Sequence, residues 1–144
     1  IAGEGPLADL VQSHAAMNPA IVPLGLIDGA QKHDELRTCR AVVVPSTWWE
    51  PLGIVVYEAF DYSKPVLAAR SGGLTETVTQ ARTGFLHEPG QPGSLANDVL
   101  KLESMSMDSR ATMGQAARNW LLRETSVGAW QNRFDEILRR IERP

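Results

Sequence analysis

The sequence AVVVPSTWWEPLGIVVYEA, residues 41–59, contains the pattern that decides the fold. Its first four residues form an apolar, mostly β-branched run, which predicts a short strand covered on both faces and ending at Pro45. A loop follows, and from Gly53 the apolar residues recur at helical spacing, which predicts a helix over roughly 53–62. A strand that passes through a loop into a helix is the repeat unit of a parallel α/β sheet.

The same alternation continues on both sides of this stretch. Helices are predicted over 6–16, 34–40 and 74–81, and strands over 20–24, 65–69 and 83–86. From Ser94 onward the pattern is helical, with Ser94 and either Asp108 or Ser109 as candidate N-caps. The apolar residues of the last two helices, Trp120 and Trp130 among them, are expected to pack in the core. The sequence thus predicts one domain, residues 1–144, with an open parallel α/β sheet, Rossmann-like helix layers and a helical tail.

Composition excludes several classes of function. The 144 residues are 43% hydrophobic and 22% charged, and the net charge of -3 gives no basic surface for nucleic acid. No apolar run approaches the ~20 residues that cross a bilayer, and no signal peptide is expected. The single Cys39 fits a reducing compartment, so a cytoplasmic location is expected. The three histidines share no metal-ligand spacing, so no metal site is expected.

The loop before the helix at Gly53 carries the candidate site, because ligands of open α/β sheets bind outside the carboxyl ends of the strands. The N–H groups of Gly53, Ile54 and Val55 would be free at the positive end of the helix dipole, which suits a phosphate. Two carboxylates bracket this site: Glu50 lies in the loop and Glu58 in the second helical turn. Carboxylates accept hydrogen bonds from sugar hydroxyls. The pattern therefore indicates a nucleotide-sugar, with a diphosphate between two sugars.

The adjacent Trp48 and Trp49 leave two interpretations open. They could stack on a sugar or a base, or they could fill a hydrophobic seam of the protein.

Residues 50–59 resemble the E-x7-E motif of the retaining glycosyltransferases of family 4 (group 1), which have the two-lobed GT-B fold. Seven further pieces follow the order of that family: Gly3-Glu4-Gly5-Pro6, Val22-Pro23-Leu24-Gly25, Val44-Pro45-Ser46, Lys64-Pro65-Val66, Gly72-Gly73 with Glu76, Thr83-Gly84-Phe85 and Pro89-Gly90. The likeness covers nearly the whole chain. It implies the C-terminal, donor-binding lobe of such an enzyme.

The resemblance also implies site roles. Glu50, the candidate catalytic residue, would contact hydroxyls of the transferred sugar, and Glu58 would hold the ribose; neither would be a conventional general base. The amides of residues 53–55 would carry the diphosphate, and Gly25 and Leu26 would lie near the base. The leaving phosphate would accept the acceptor's proton, the anomeric configuration would be retained, and no metal or other cofactor would be needed.

Departures from the family pattern limit what this chain is expected to do alone. It starts at the second donor-lobe strand of the family. Two parts would therefore belong to a longer parent: the stretch with the Arg and Lys that clamp the phosphates, and the N-terminal acceptor lobe. The chain alone is expected to be inactive. The N-terminal lobe would be its partner, and any peripheral membrane contact would occur only through that lobe. Asp61-Tyr62-Ser63 replaces a small-residue turn that usually ends in glycine, and this is expected to shift the exit of the helix.

Two alternative functions stay open. Gly3-x-Gly5-x-x-Ala8 matches the dinucleotide fingerprint, with Asp28 twenty residues further on. However, Asp28 falls in a predicted turn rather than at the end of a strand, which disfavours a nicotinamide or flavin site. The other alternative is a non-catalytic domain that binds nucleotide-sugars or serves in assembly, and the presence of both Glu50 and Glu58 disfavours it.

Overall fold

The alternation of strands and helices predicted from the sequence is present in the computed structural model, which describes residues 1–141. Backbone contacts divide the chain into two compact units, Ile1–Thr38 and Cys39–Pro144. The elements are α1 (Ala8–Met17), α2 (Gly29–Thr38), β1 (Val42–Val44), α3 (Ile54–Asp61), β2 (Val66–Ala69), α4 (Leu74–Thr77), β3 (Gly84–His87), α5 (Pro92–Ser104), α6 (Met107–Thr125) and α7 (Val127–Ile141).

The first unit contains α1 and α2. Ala2 forms an isolated parallel bridge with Gly25, and the Gly3 N–H donates to the Gly25 carbonyl at 2.7 Å. No strand is assigned over the predicted segment 20–24, but its end bonds to Ile1: the Leu24 N–H donates to the Ile1 carbonyl at 2.8 Å, and the Ile1 amino group donates to the Val22 carbonyl at 2.7 Å.

The second unit contains a three-stranded parallel sheet in the order β1-β2-β3. Val43 pairs with Leu67, and Leu67 pairs with Phe85. All four residues of β2 are buried, whereas Val43 of β1, the edge strand of this sheet, is 45% exposed. The prediction that the valine strand is covered on both faces is therefore wrong for β1, and the fully covered strand is β2.

The core of the second unit lies between the sheet and helices α3 and α6. Val56, Phe60 and Leu74 are completely buried, and Ala117 of α6 joins them. A buried aromatic or aliphatic side chain of this size contributes about 1.5–3 kcal/mol relative to an exposed one. Trp120 packs edge-on against Phe60, with ring centroids 5.9 Å apart, so its predicted place beside the core is confirmed.

The helix caps differ from the predicted ones. Helix α5 begins after Gln91, and the Ser94 hydroxyl instead accepts the backbone N–H of Glu88 at 3.0 Å. Helix α6 is capped by Ser106, which accepts the Ser109 N–H at 3.1 Å. Pro92 explains the first difference, since proline is favoured in the first helical turn and moves the start of α5 before Ser94.

Helix α3 ends in the geometry that a glycine would give. The Ser63 N–H donates to the Phe60 carbonyl and the Lys64 N–H donates to the Ala59 carbonyl, both at 2.9 Å, which is a Schellman pattern. Ser63 has φ +54°, in the left-handed region where a Cβ is unfavourable. The serine is therefore accommodated with strain in the usual glycine geometry. The expected shift of the helix exit relative to the family stays a prediction.

Helix α7 carries its apolar residues on the surface. Trp130 is 62% exposed and stacks on Phe134 at a centroid distance of 5.3 Å. The other large apolar residues of α7 are exposed as well: Val127, Ile137, Leu138 and Ile141. The prediction that this face packs in the core is wrong for the described residues, because α7 contacts chiefly α6 and buries none of its side chains.

Among the helices of residues 1–141, none combines the length and the apolar character that a membrane span requires.

Candidate functional site

The loop from Pro45 to Gly53 leaves the carboxyl end of β1 and enters α3, as the sequence predicts. The side chain of Glu50 is fixed inside this loop and half-buried. Its Oε1 accepts the backbone N–H of Gly53 at 3.2 Å, and its Oε2 accepts the Ser46 hydroxyl at 3.3 Å. The carboxylate thus closes the loop and lies at the start of α3, where the helix dipole favours a negative charge.

Gly53 initiates α3 in a conformation that suits glycine. Its φ is +70°, and an added Cβ would lie 2.5 Å from the Leu74 Cδ2 atom. The sequence predicts a free Gly53 N–H, but in the structure Glu50 has taken this donor. A side-chain carboxylate so close to a helix start competes for the unsatisfied amides in the same way as an N-cap.

The next two amides of α3 keep the arrangement predicted for an anion site. Within residues 1–141, the N–H groups of Ile54 and Val55 donate no hydrogen bond, whereas the Val56 N–H already bonds to the Gly53 carbonyl at 2.8 Å. Ile54 is 66% exposed. Glu58 lies one turn further along α3 and is half-buried. Two adjacent amides at a helix start, together with the dipole, can bind a phosphate oxygen.

The turn formed by residues 71–73 holds the Glu50 loop through two hydrogen bonds, a role that was not predicted from the sequence. The Gly73 N–H donates to the Glu50 carbonyl at 2.8 Å, and the Ser71 hydroxyl donates to the Trp48 carbonyl at 2.6 Å. A Cβ added at Gly72 would lie 2.2 Å from the Glu50 carbonyl oxygen, and a Cβ added at Gly73 would lie 2.4 Å from the Pro51 carbonyl oxygen. The two consecutive glycines were the available signal, because only residues without a Cβ permit so close a backbone approach.

Gly25 and Leu26 lie in the first unit. Gly25 is fixed there by its bridge to Ala2, and Leu26 is exposed. Their expected role near the base stays a prediction. The fingerprint-like turn Gly3–Ala8 lines a cavity of about 470 Å³ in the same unit.

No group of three or more histidine, cysteine or acidic side chains in the described part of the chain could hold a metal ion. Beside the Glu50 loop lies a smaller cavity of about 240 Å³ in the second unit, lined by Leu52, Tyr57, Glu76 and Arg133 among others. Glu76 is exposed and lines this cavity.

Residues 1–120 match the family model of glycosyl transferases group 1. The chain is 32% identical over 134 residues to sulfoquinovosyl transferase SQD2 of Arabidopsis thaliana, covering 90% of this chain and 24% of that protein. It is 34% identical over 108 residues to the alpha-1,3/1,6-mannosyltransferase alg-2 of Neurospora crassa, covering 74% of this chain and 22% of that protein. The chain thus spans about a quarter of the length of these curated relatives.

Solved structures show the same relationship. The structure of Anabaena Alr3699/HepE in complex with UDP and glucose superposes with a TM-score of 0.77 and 27% identity, covering 95% of this chain and 39% of that one. The sucrose-phosphate synthase of Thermosynechococcus elongatus superposes with a TM-score of 0.76 and 27% identity, covering 94% of this chain and 33% of that one. The parallel sheet, helix layers and helical tail of the chain match the Rossmann-like C-terminal domain of the GT-B fold. Because the family model also covers residues 1–120, the chain belongs to the group 1 glycosyl transferases.

Proposed function

We propose that this chain is the donor-binding part of a retaining glycosyltransferase, which moves a sugar from a nucleoside-diphosphate sugar to an acceptor hydroxyl. The observation that carries the proposal is the pair of N–H groups at Ile54 and Val55, which lack an acceptor within the described residues and lie between two carboxylates. The related Anabaena protein, whose structure contains UDP and glucose, supports a ligand of this class.

In this proposal the start of α3 binds the diphosphate. The amides of Ile54 and Val55 donate to phosphate oxygens, and the helix dipole adds a favourable field. Gly53 contributes the absence of a side chain, which lets the phosphate approach the backbone. Its own N–H is held by Glu50 and becomes a donor only if that hydrogen bond opens.

The two carboxylates bind the sugars on either side. A carboxylate offers about four lone-pair sites. Gly53 and Ser46 occupy two of those on Glu50, so two remain for hydroxyls of the transferred sugar. Glu58, one turn further along α3, binds the ribose hydroxyls.

The transfer exchanges two bonds at the anomeric carbon. The bond to the diphosphate oxygen breaks while a bond to the acceptor oxygen forms on the same face, so the configuration is retained. The acceptor's hydroxyl proton passes to the leaving phosphate oxygen. Because that phosphate serves as the base, we assign no general-base role to Glu50 or Glu58 and expect no metal requirement.

The acceptor site and full activity belong to a longer parent, in which an N-terminal lobe is the partner of this chain. The exposed apolar face of α7 supports such a partner. A lobe that covered this face would stabilise the complex by about 25 cal/mol for each Å² of apolar surface removed from water. The chain alone is expected to bind donor without turnover, and any peripheral membrane contact would occur through that lobe. The single Cys39 fits a cytoplasmic location.

Calorimetry on this chain tests the assignment of the two carboxylates. UDP, GDP and ADP are each compared with their glucose derivatives, for the native chain and for Glu50→Gln, Glu58→Gln and the exposed control Glu136→Gln on α7. We expect Glu50→Gln to cut the extra affinity of the sugar derivative roughly fivefold, because a charged acceptor forms stronger hydrogen bonds than an amide. Glu58→Gln should weaken nucleotide and nucleotide-sugar alike. Equal affinities for all four proteins would overturn the assignment.

A further inference from the structure

A further cavity of the second unit lies at the opposite edge of the sheet from the proposed donor site. Its volume is about 500 Å³, a size at which proteins hold whole small molecules. Residues 39–40 line it just before β1, and residues 64–65 line it just before β2. Because β1 and β2 are parallel, these residues mark the amino ends of the strands, whereas the Glu50 loop leaves the carboxyl end of β1.

Helix α3 separates this cavity from the proposed donor site. Gly53 stands at the start of α3, whereas Tyr62 and Ser63, which follow its last residue, line the cavity. The eight residues of α3 span roughly 12 Å at a rise of 1.5 Å per residue. The cavity is therefore distinct from the site that the proposed function uses.

The lining of this cavity is positively charged. Arg40, Lys64 and Arg110 contribute three cations, and none of the lining residues in the described part of the chain is acidic. This local excess contrasts with the net charge of -3 of the whole chain. One carboxylate reaches a cation from outside the lining, because Glu103 Oε2 lies 2.7 Å from Arg40 Nη1. The remaining excess of positive charge favours an anion.

Arg110 is held in place with part of its guanidinium unused. Its Nη1 donates to three carbonyls at the carboxyl end of α5, those of Leu102 and Glu103 at 3.4 Å and that of Met105 at 3.0 Å. Within residues 1–141, its Nε and Nη2 donate no hydrogen bond and it forms no ion pair. A positioned guanidinium with two unused nitrogens suits the oxygens of a phosphate group.

The rest of the lining indicates an organic ligand rather than a bare ion. Tyr62 is half-buried, Met107 is exposed, and Pro65 and Ala111 add further apolar surface. Small-molecule sites combine such apolar surface with a few polar or charged groups that fix the orientation of the ligand. The cavity therefore suits a molecule with one strongly anionic group and an apolar part.

We propose that this cavity binds a small organic phosphate, with the phosphate group on Arg40, Lys64 and Arg110 and the organic part against Tyr62 and Met107. The site goes beyond the proposed function and does not depend on it, because neither Glu50 nor the start of α3 takes part. It gives the amino edge of the sheet a ligand-binding role of its own.

An amide-resolved NMR titration of this chain tests the site with three probes: phenyl phosphate, inorganic phosphate and phenol. Phenyl phosphate should shift the amides of Ser63, Lys64 and Ala111. It should bind roughly fivefold more tightly than inorganic phosphate, because only the organic probe also buries apolar surface. Phenol lacks the charge and should bind more weakly than either phosphate. Shifts at Ile54 and Val55 report the start of α3 and are fitted separately.

Four variants change the charge at the cavity in opposite directions. Arg40→Gln and Lys64→Gln each remove a lining cation and should weaken phenyl phosphate binding roughly fivefold, since hydrogen bonds between charged groups are the strong ones. The Arg40 side chain is 69% exposed, so Arg40→Gln is expected to fold normally. Glu103→Gln releases Arg40 from its ion pair and should strengthen binding. The control Arg82→Gln, at an exposed arginine outside the lining, should leave the affinity unchanged.

The single Cys39 gives an independent readout, because it lines the cavity. Phenyl phosphate should slow the alkylation of this thiol by the uncharged reagent iodoacetamide, and Glu103→Gln should lower the concentration required. Three results would overturn the proposal: cavity amides that phenyl phosphate leaves unmoved, an affinity for phenyl phosphate no higher than that for inorganic phosphate or phenol, or equal affinities in Arg40→Gln, Glu103→Gln and Arg82→Gln.

Discussion

At the scale of the residue, Glu50 is the most constrained side chain of the site. Each of its three oxygens accepts a hydrogen bond: Gly53 and Ser46 bind the carboxylate, and Gly73 binds the carbonyl. A group held this way can meet a sugar hydroxyl without losing further conformational entropy. The geometry of Glu50 therefore depends on the backbone N–H groups of Gly53 and Gly73.

The dependence on Gly73 is testable by adding a single methyl group. Gly73→Ala would place its Cβ 2.4 Å from the Pro51 carbonyl oxygen, so the loop must move, and we expect a loss of about 1–3 kcal/mol in the free energy of unfolding. Gly93→Ala is the control, since nothing lies within 4 Å of its Cβ position in α5, and we expect no loss. Urea unfolding gives both values. A Gly73→Ala protein of native stability would contradict the close approach.

Ser63 offers the opposite change, from strain to relief. Its φ of +54° lies where a Cβ is unfavourable, so Ser63→Gly should stabilise the second unit by about 0.5–1 kcal/mol. Ser63→Ala keeps the Cβ and should bring no gain. Thermal unfolding compares the three proteins, and equal midpoints for the serine and glycine forms would show that the serine is not strained.

At the scale of the element, the contact between β3 and α5 contains a polar pair inside an apolar layer. His87 ends β3 and Asp98 lies on α5, and both are buried. Within the described residues, His87 Nδ1 and Asp98 Oδ2 have no hydrogen-bond partner, although Asp98 Oδ1 accepts Lys101 Nζ at 2.8 Å. Burial lowers the pKa of His87 below its ordinary value of 6.5, while the carboxylates of Asp98 and Glu88 oppose this shift.

A lowered histidine pKa makes stability depend on pH. The unfolded chain binds a proton near pH 6.5, and the folded chain binds it only at a lower pH. The contribution of His87 is therefore complete above pH 6.5 and is lost as the pH falls through the pKa of the folded state. We expect urea midpoints to drop between about pH 7.5 and about pH 5.5. His87→Leu should flatten that drop, whereas His14→Leu, at an exposed histidine, should leave it; an unchanged slope in His87→Leu would contradict the assignment.

The three strands of the sheet and most helices could be predicted from the sequence, because apolar runs and helical spacing are local signals. The N-caps were less predictable. Pro92 moves the start of α5 ahead of the predicted cap Ser94, and Ser106 caps α6 in place of Asp108 or Ser109. The free Gly53 N–H was predicted wrongly for a physical reason. A carboxylate three residues earlier folds back onto the same helix end, and spacing alone does not say which group takes the amide.

At the scale of the whole molecule, the exposed face of α7 shows the limit of sequence patterns. Its apolar spacing correctly predicted an amphipathic helix, but the pattern cannot say whether the covering partner lies within the same chain. The support that Gly72 and Gly73 give to Glu50 was also out of reach, since that contact joins loops from two separate strands. The site's residue types were predictable, whereas its supporting contacts were not.

The α7 face leads to a prediction about association. Large exposed apolar patches on soluble chains favour self-association. We expect this chain to sediment as a concentration-dependent mixture of monomer and oligomer. Ile137→Lys together with Ile141→Lys should shift it to monomer, and the matched control Leu100→Lys together with Met107→Lys, at exposed positions of α5 and α6, should not. A native chain that stays monomeric at every concentration would contradict the expectation.

The central claim is that the start of α3 binds the diphosphate of a sugar nucleotide. The most direct test is an amide-resolved NMR titration of this chain with UDP, GDP, ADP and NAD. The account predicts that at least one of the three diphosphates shifts the amides of Ile54, Val55 and Glu58, with little effect from NAD. If all three leave these amides unmoved, or if NAD instead shifts the turn Gly3–Ala8, the account is contradicted.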